Sequence, residues 1–409
     1  MGKVRIMAVM SLVFALGLAP QSFADDQDRQ RIEDLERKVA ELTATVNRLS
    51  SQQAAAPAAA TTAAQLEESA VVKEEELASP KLNIRGFGHL QYDFSKAQNS
   101  DNTVDETNHF TNGGVDLFIT SKVAKKISFL NETVFEFGTN GTNTLDVERV
   151  LLKYELSDKL NIALGRGHTA LGYWNEHFHH GTWLQTTTGR PTIYKFEDDG
   201  GILPVHYVGL EFSGILDAPG GTVSYVSNVA NGRGTIGDEV KLVEDNNDSK
   251  MVGLMFTYEP AAILGLGLGL NVITDKIPAK AGTADRGDEI DETISGAHIF
   301  YVQDPWEILL EAQNVNHFNH ATDLRDESVG GYGQLGYKIG KYKPYFRHDW
   351  LRVSDRDPFF EGLVEDESSN TLGLRYELST FNALKFEYRH IDQDNAQKNE
   401  ATVQSSFAF

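Results

Sequence analysis

From Lys81 to the C-terminus the chain alternates apolar and polar residues with a period of two, and nothing else in it constrains the fold as much. In the first such stretch Leu82, Ile84, Gly86, Gly88, Leu90, Tyr92 and Phe94 are apolar or small, with Asn83, Arg85, His89, Gln91 and Asp93 between them. Successive side chains of a strand point to opposite faces, so each such segment offers one face to oil and the other to water. The pattern returns at Val115–Leu117–Ile119, Val150–Leu152–Tyr154, Val208–Leu210–Phe212, Val252–Leu254–Phe256, Leu264 to Val272, Ile308–Leu310–Ala312, Leu372–Leu374–Tyr376 and Leu384–Phe386–Tyr388. With the less regular segments near 127–137, 160–166, 222–229, 293–302 and 342–353, the sequence holds sixteen candidate strands.

The connections alternate in length. Seven are short, such as Ala124-Lys125, Ser157 to Lys159, Pro260 to Ala262 and Gln303 to Pro305. Eight are longer, spanning about 95–112, 138–144, 167–205, 230–249, 275–292, 318–327, 354–369 and 392–399. Short turns at one end and long loops at the other are what an antiparallel transmembrane β-barrel of about sixteen strands requires. A β-sandwich would need the apolar faces to meet in one dry core. A closed sheet of sixteen strands is too wide for that, so its polar face is expected to line water while its apolar face meets lipid. The mean hydropathy of −0.34 is compatible with this, because half of every strand is polar.

The two ends agree with a wall of this kind. Lys3 and Arg5 precede an apolar run from Ile6 to Leu18, and Ser22-Phe23-Ala24 supplies a small-residue cleavage site. Residues 1–24 read as a secretory signal peptide, since the run is shorter than the ~20 apolar residues that span a bilayer. Ile32, Leu35, Val39, Leu42, Val46 and Leu49 then recur at coiled-coil spacing, so 25–50 is expected to be a periplasmic coiled-coil helix with a/d chemistry leaning toward two strands. Residues 51–80, rich in Ala and then Glu, read as a flexible linker, and 81–409 as the barrel. The chain finishes Ala401, Val403, Ser405, Phe407, Phe409, which resembles the C-terminal signal read by the bacterial outer-membrane assembly machinery. Tyr154, Tyr258, Trp306, Tyr337, Tyr342 and Tyr376 fall near short turns, where an interfacial aromatic girdle belongs.

On this architecture and these terminal residues the mature chain resembles bacterial outer-membrane porins of the sixteen-stranded type. That family includes general diffusion and phosphate-selective porins, some with an N-terminal periplasmic coiled coil. The resemblance implies a homotrimer of water-filled pores that pass small hydrophilic solutes, seated among outer-membrane lipids and lipopolysaccharide. It implies neither cofactor nor enzymatic activity.

Charge refines the reading. The chain carries 37 Lys+Arg against 59 Asp+Glu, a formal net charge of −22, which disfavours nucleic acid as a partner. The absence of cysteine removes thiolate metal sites and cysteine nucleophiles. The eight longer connections hold 11 basic and 29 acidic residues, so the mouth is negative while the remaining wall is balanced. That balance argues against a phosphate-type anion pore, which needs a surplus of lumen cations. Candidate lumen charges are Arg85, Lys122, Arg149, Lys153, Arg375, Lys385 and Arg389 against Asp93, Asp116, Glu132, Glu136, Glu211, Glu311 and Glu387. They either set up a transverse field or simply solvate a wet wall.

The connection 167–205 is the longest, and in sixteen-stranded porins the third external loop folds inward to narrow the pore. The constriction is therefore expected here. Trp174, His177, His179, His180 and Trp183 supply flat amphipathic surfaces, and Glu176, Arg190 and Lys195 supply charge. The aromatics either stack on ringed solutes or pin the loop to the inner wall. His177, His179 and His180 also invite a metal reading, but a site needs convergent ligands that adjacency alone seldom provides, so no metal is assigned. A substrate-specific uptake channel or receptor for phosphate, sugar or siderophore is the alternative function, with an outer-membrane enzyme or a cell-wall tether less favoured.

Overall fold

The computed structural model describes Arg37 and residues 81–138, 143–178, 181–237, 248–282, 284 and 287–409. The signal-peptide, coiled-coil and linker segments, like His179 and His180, lie outside the described residues. The rest is a closed antiparallel barrel in which every strand pairs with its neighbours in sequence and the first pairs with the last. Its strands are β1 (Leu82–Asn99), β2 (Val104–Ala124), β3 (Ile127–Phe137), β4 (Asn143–Ser157), β5 (Leu160–His168), β6 (His206–Ala218), β7 (Gly221–Ala230) and β8 (Met251–Pro260). They continue as β9 (Leu266–Ile277), β10 (Ile290–Gln303), β11 (Trp306–Asn319), β12 (Leu324–Tyr337), β13 (Tyr342–Arg352), β14 (Glu367–Ser379), β15 (Asn382–Gln393) and β16 (Ala396–Ala408). The short turns fall where the sequence places them, shifted by one residue at Lys125-Lys126, shortened to Asp158-Lys159 and lengthened to 261–265.

Three of the expected long loops are not loops. The β1–β2 connection is only Ser100 to Thr103, β11–β12 only His320 to Asp323 and β15–β16 only Asp394-Asn395, because the strands themselves run on. Their outer ends carry polar residues on both faces, as in Ser95 to Asn99 and Asp105 to Asn112, so the two-residue contrast fades although the ladder continues. A strand that leaves the membrane needs no apolar face, and sequence alternation cannot follow it there.

The outer face is the expected apolar belt. Leu270 is 66% exposed and Leu372 63%, and Ile84, Leu164, Phe256, Leu310 and Phe346 stand out beside them. Each such side chain left in water forgoes roughly 1.5–3 kcal/mol, so the belt is stable only against hydrocarbon. Near the short turns Trp306 packs edge-on against Tyr337 with centroids 4.6 Å apart, and Tyr342 stacks on Tyr376 at 4.8 Å. These pairs form the aromatic girdle where the sequence places it.

The inner face departs from expectation over β8–β13. Met251, Ile273, Ile277, Ile290, Ile294, Phe300, Leu309, Val315, Tyr332 and Leu351 all turn inward and are buried. Register sets them side by side, with Ile290 opposite Ile277 and Ile294 opposite Ile273. A water-lined wall would not bury these side chains; something apolar covers them.

Closure depends on the last residue. The Phe409 N–H donates to the Gly86 carbonyl at 2.8 Å, and the Gly86 N–H returns a bond to the Phe409 carbonyl at 3.0 Å. The Phe409 ring lies over Gly86, where a Cβ would come within 2.5 Å of both the ring and the Asp116 carbonyl. Gly86→Val therefore overpacks the seam and is expected to cost about 1–3 kcal/mol. The check is the fraction of protein that keeps folded-barrel mobility on an unheated SDS gel across a temperature series: the variant should convert at lower temperature than the wild type.

Candidate pore constriction

The segment 169–205 between β5 and β6 enters the barrel. It holds the short helix α1 (Gly172–His177) and two 3-10 turns, Thr192–Tyr194 and Glu197–Asp199. Leu171, Trp174, Ile193, Tyr194, Ile202, Leu203 and Val205 are 0–1% exposed and join the inward apolar residues of β8–β13 in one cluster. Full burial of each is worth roughly 1.5–3 kcal/mol, so the hydrophobic effect supplies most of the pull that draws this loop inside.

Buried charges then fix where it sits. Glu311 on β11 accepts the backbone N–H groups of Tyr173 and Trp174, both at 2.8 Å, and the hydroxyls of Tyr194 at 2.8 Å and of Tyr332. Gly172 makes the turn with φ +55°, and a Cβ there would meet Glu311 and Tyr194 oxygens at 2.0 Å, so only glycine fits. Opposite, the Arg347 guanidinium donates to Thr187 Oγ1 at 3.0 Å and to the carbonyls of Gly189 and Arg190 at 2.9 and 3.0 Å, with Asp349 2.8 Å away as its counterion. Arg375 holds the carbonyls of Trp183 and Gln185, both at 2.7 Å, and Lys385 those of Thr182 and, at 2.8 Å, Thr187. Glu387 accepts from Thr188 N–H at 3.0 Å and its hydroxyl at 2.6 Å, and Asp349 accepts the Thr192 N–H at 3.1 Å. A buried charge without partners costs several kcal/mol, so a loop that covers these groups also has to supply their hydrogen-bond partners.

The wall charges expected from the sequence thus divide. Glu311, Arg375, Lys385 and Arg389 face inward but are spent on the loop; Arg389 reaches Thr192 Oγ1 at 2.9 Å and Glu367 at 2.8 Å. Arg85, Asp93, Lys122, Glu132, Arg149, Lys153 and Glu211 lie on the inner face of β1–β6, away from the anchored half. There Arg149 pairs with Glu132, Lys122 with Glu155 at 2.6 Å, Tyr207 donates to Glu211 at 3.1 Å, and Asp93 accepts from Gln91, Thr111 and Thr402.

Of the expected aromatic residues, Trp174 is buried against the wall whereas His177 is exposed. Trp174 meets Tyr332 edge-on at 5.7 Å and is 1% exposed, so it offers no stacking surface to a solute. The His177 ring stacks on Tyr173 at 3.9 Å, and its Nδ1 lies 3.0 Å from the Tyr173 carbonyl. Trp183 is half-buried, and Glu176 is half-buried with Oε1 lacking a hydrogen-bond partner. Among the anchors that escape the sequence reading are Glu307 and Glu367, which accept the hydroxyls of Thr186 and Thr192 at 3.0 and 2.7 Å, Lys343, which donates to Thr186 Oγ1 at 3.0 Å, Arg347 and Asp349. Parity counted from the girdle residue Tyr342 puts Lys343, Arg347 and Asp349 on the inner face, and that is the signal that could have found the last three.

Between the loop and the wall of β1–β3 lies an open space of about 540 Å³. The wall contributes His89, Gln91, Asp116 and Glu136, and the loop Gln185, Thr188, Arg190, Lys195 and Asp199. Arg190 lies flat over the Phe196 ring at 3.6 Å and donates to the Tyr194 carbonyl at 3.0 Å. Burial pushes its guanidinium down to about 10, with Asp199 opposing, so it stays charged at neutral pH. Lys195 is 2.7 Å from Glu367. Among the described constriction residues expected from the sequence, Arg190 and Lys195 line this space.

No family model and no curated protein matches the sequence. Solved structures do match. An anion-selective porin from Comamonas acidovorans superposes with a TM-score of 0.56 at 11% identity, over 81% of this chain and 100% of that one. The outer membrane channel DcaP of Acinetobacter baumannii gives 0.56 at 12%, over 81% and 98%. OmpF of Salmonella typhi, in complex with daunomycin, gives 0.53 at 14%, over 80% and 98%. At such identities the likeness is one of fold: the chain is a closed sixteen-stranded barrel of the architecture found in outer-membrane porins.

Removing the Glu311 carboxylate leaves two backbone N–H groups and two tyrosine hydroxyls without their acceptor. With hydrogen bonds to a charged group worth about 1.5–3 kcal/mol each, Glu311→Ala should free the loop before it unfolds the wall. Trypsin should then cut after Lys195 in the intact barrel of the variant and spare the wild type; equal resistance would show that the apolar cluster holds the loop unaided.

Proposed function

We propose that the protein is an outer-membrane porin through which small hydrophilic solutes diffuse passively, with the loop 167–205 as its constriction. The space of about 540 Å³ left beside that loop, lined by polar and charged side chains, carries the proposal. Hydrocarbon outside and polar groups inside are the two conditions of a water-filled pore. The long-loop end is read as extracellular, and its surplus of acid residues as a surface bridged to lipopolysaccharide by divalent cations. Residues 25–80 are read as a periplasmic extension.

A trimer is part of the reading, and the outer face of β1–β3 and β16 supports it. Outward positions that are aliphatic or aromatic on most of the belt are here Asn131, Thr133 and Ser405, and the Thr133 hydroxyl donates to Asn131 at 3.0 Å. Polar side chains facing hydrocarbon are costly, so another protein surface is the better neighbour.

Reconstituted in planar bilayers, the purified protein should give stepwise conductance in KCl, and deletion of Thr182 to Arg190 should raise the step at least about twofold by widening the passage. No steps at all would defeat the porin reading. Cross-linking in native membranes is expected to yield a ladder ending at three copies; a ladder ending at two would assign the oligomer to the coiled-coil preference instead.

A further inference from the structure

Asp116, Glu176 and Glu197 each have an oxygen that no described residue serves with a hydrogen bond, and of these Asp116 lines the open space. Asp116, on β2, is 4% exposed, lines the passage, and its Oδ1 has no hydrogen-bond partner. The neighbouring Glu132 is neutralised by Arg149, and Glu136 accepts Thr144 Oγ1 at 3.0 Å, its one hydrogen bond among the described residues. By contrast, the inward carboxylates Glu311, Asp349, Glu367 and Glu387, which hold the loop, each accept from several donors. A buried carboxylate short of donors is costly, and it becomes less so when a solute brings a cation and N–H groups to it.

What faces Asp116 selects the solute. Across the same space stand Arg190 and Lys195, the lysine paired with Glu367 at 2.7 Å, with Asp199 exposed on the loop beside them. A simple anion would be drawn to the basic pair and repelled by Asp116 and Glu136; a simple cation would meet the reverse. A molecule with both signs, separated by a few bonds, satisfies both sides at once. On the basis of the porin reading, we infer that the constriction is selective for small zwitterions, with Asp116 receiving the ammonium group and the Arg190–Lys195 side receiving the carboxylate. The assignment makes Asp116 the specificity-determining residue of the pore.

Three solutes of nearly equal size separate the outcomes: alanine, which is zwitterionic, lactamide, which is neutral, and sodium lactate. In swelling of liposomes that contain the wild-type protein, alanine should enter roughly threefold or more faster than either of the others, the scale of one screened charge contact. Asp116→Asn, verified as a folded barrel by its unheated gel mobility, should bring alanine and lactamide to the same rate. Stepwise KCl conductance with equal wild-type rates for alanine and lactamide would overturn the inference and leave the porin reading standing. Fastest entry of lactate would overturn it in favour of the basic side. An unchanged alanine preference in Asp116→Asn would remove the residue from its role, whereas loss of all conductance in the wild type would strike at the porin reading itself.

Discussion

Backbone hydrogen bonding in a solvent that offers none is the constraint behind the whole structure. In hydrocarbon each unpaired N–H or C=O costs several kcal/mol, so a sheet that crosses it has to close. Here closure comes down to the pairing of β1 with β16 and the exchange of two bonds between Gly86 and Phe409. The apolar belt, the girdle and the single enclosed lumen follow from that ring. The glycine is part of it: its missing side chain is the seat of the terminal phenylalanine ring.

Once closed, the barrel has an interior too wide for its own side chains, and this chain fills it unevenly. One half of the inner wall, from β8 to β13, carries a cluster of buried apolar side chains set among buried charged and polar ones, and the inward loop covers it. The other half, from β1 to β6, keeps paired charges beside an open space. Hydrophobic burial is strong but undirected; it brings the loop to the correct half without placing it. The placement belongs to Glu311, Arg347, Arg375, Lys385 and Glu387, whose bonds to backbone groups of the loop are directional and whose isolation would be expensive.

That division explains why the wall charges, read one by one, misled. Lys385 and Arg375 look like lumen cations in any list of alternating residues, and they do point inward. Yet their donors are taken by loop carbonyls before any solute arrives. The side chains left to face the open space sit on the facing wall and on the far edge of the loop. Trp174, in the same way, is an anchor rather than a platform because Tyr332 and the apolar cluster enclose it.

Alternation with a period of two is a local property, set by which way consecutive side chains point. The sixteen strands, the girdle and the lipid-facing rows were therefore readable directly, and the strand ends beyond the membrane were not, since both of their faces meet water. The great length of 167–205 marked it as the exceptional loop. Which of its residues would face the passage depended on distant partners: Glu311 lies more than a hundred residues from Tyr173, and Glu387 almost two hundred from Thr188. Composition named the apolar and charged groups, but the choice between binding the loop and meeting water was made only when ring closure brought β11 to β15 around it.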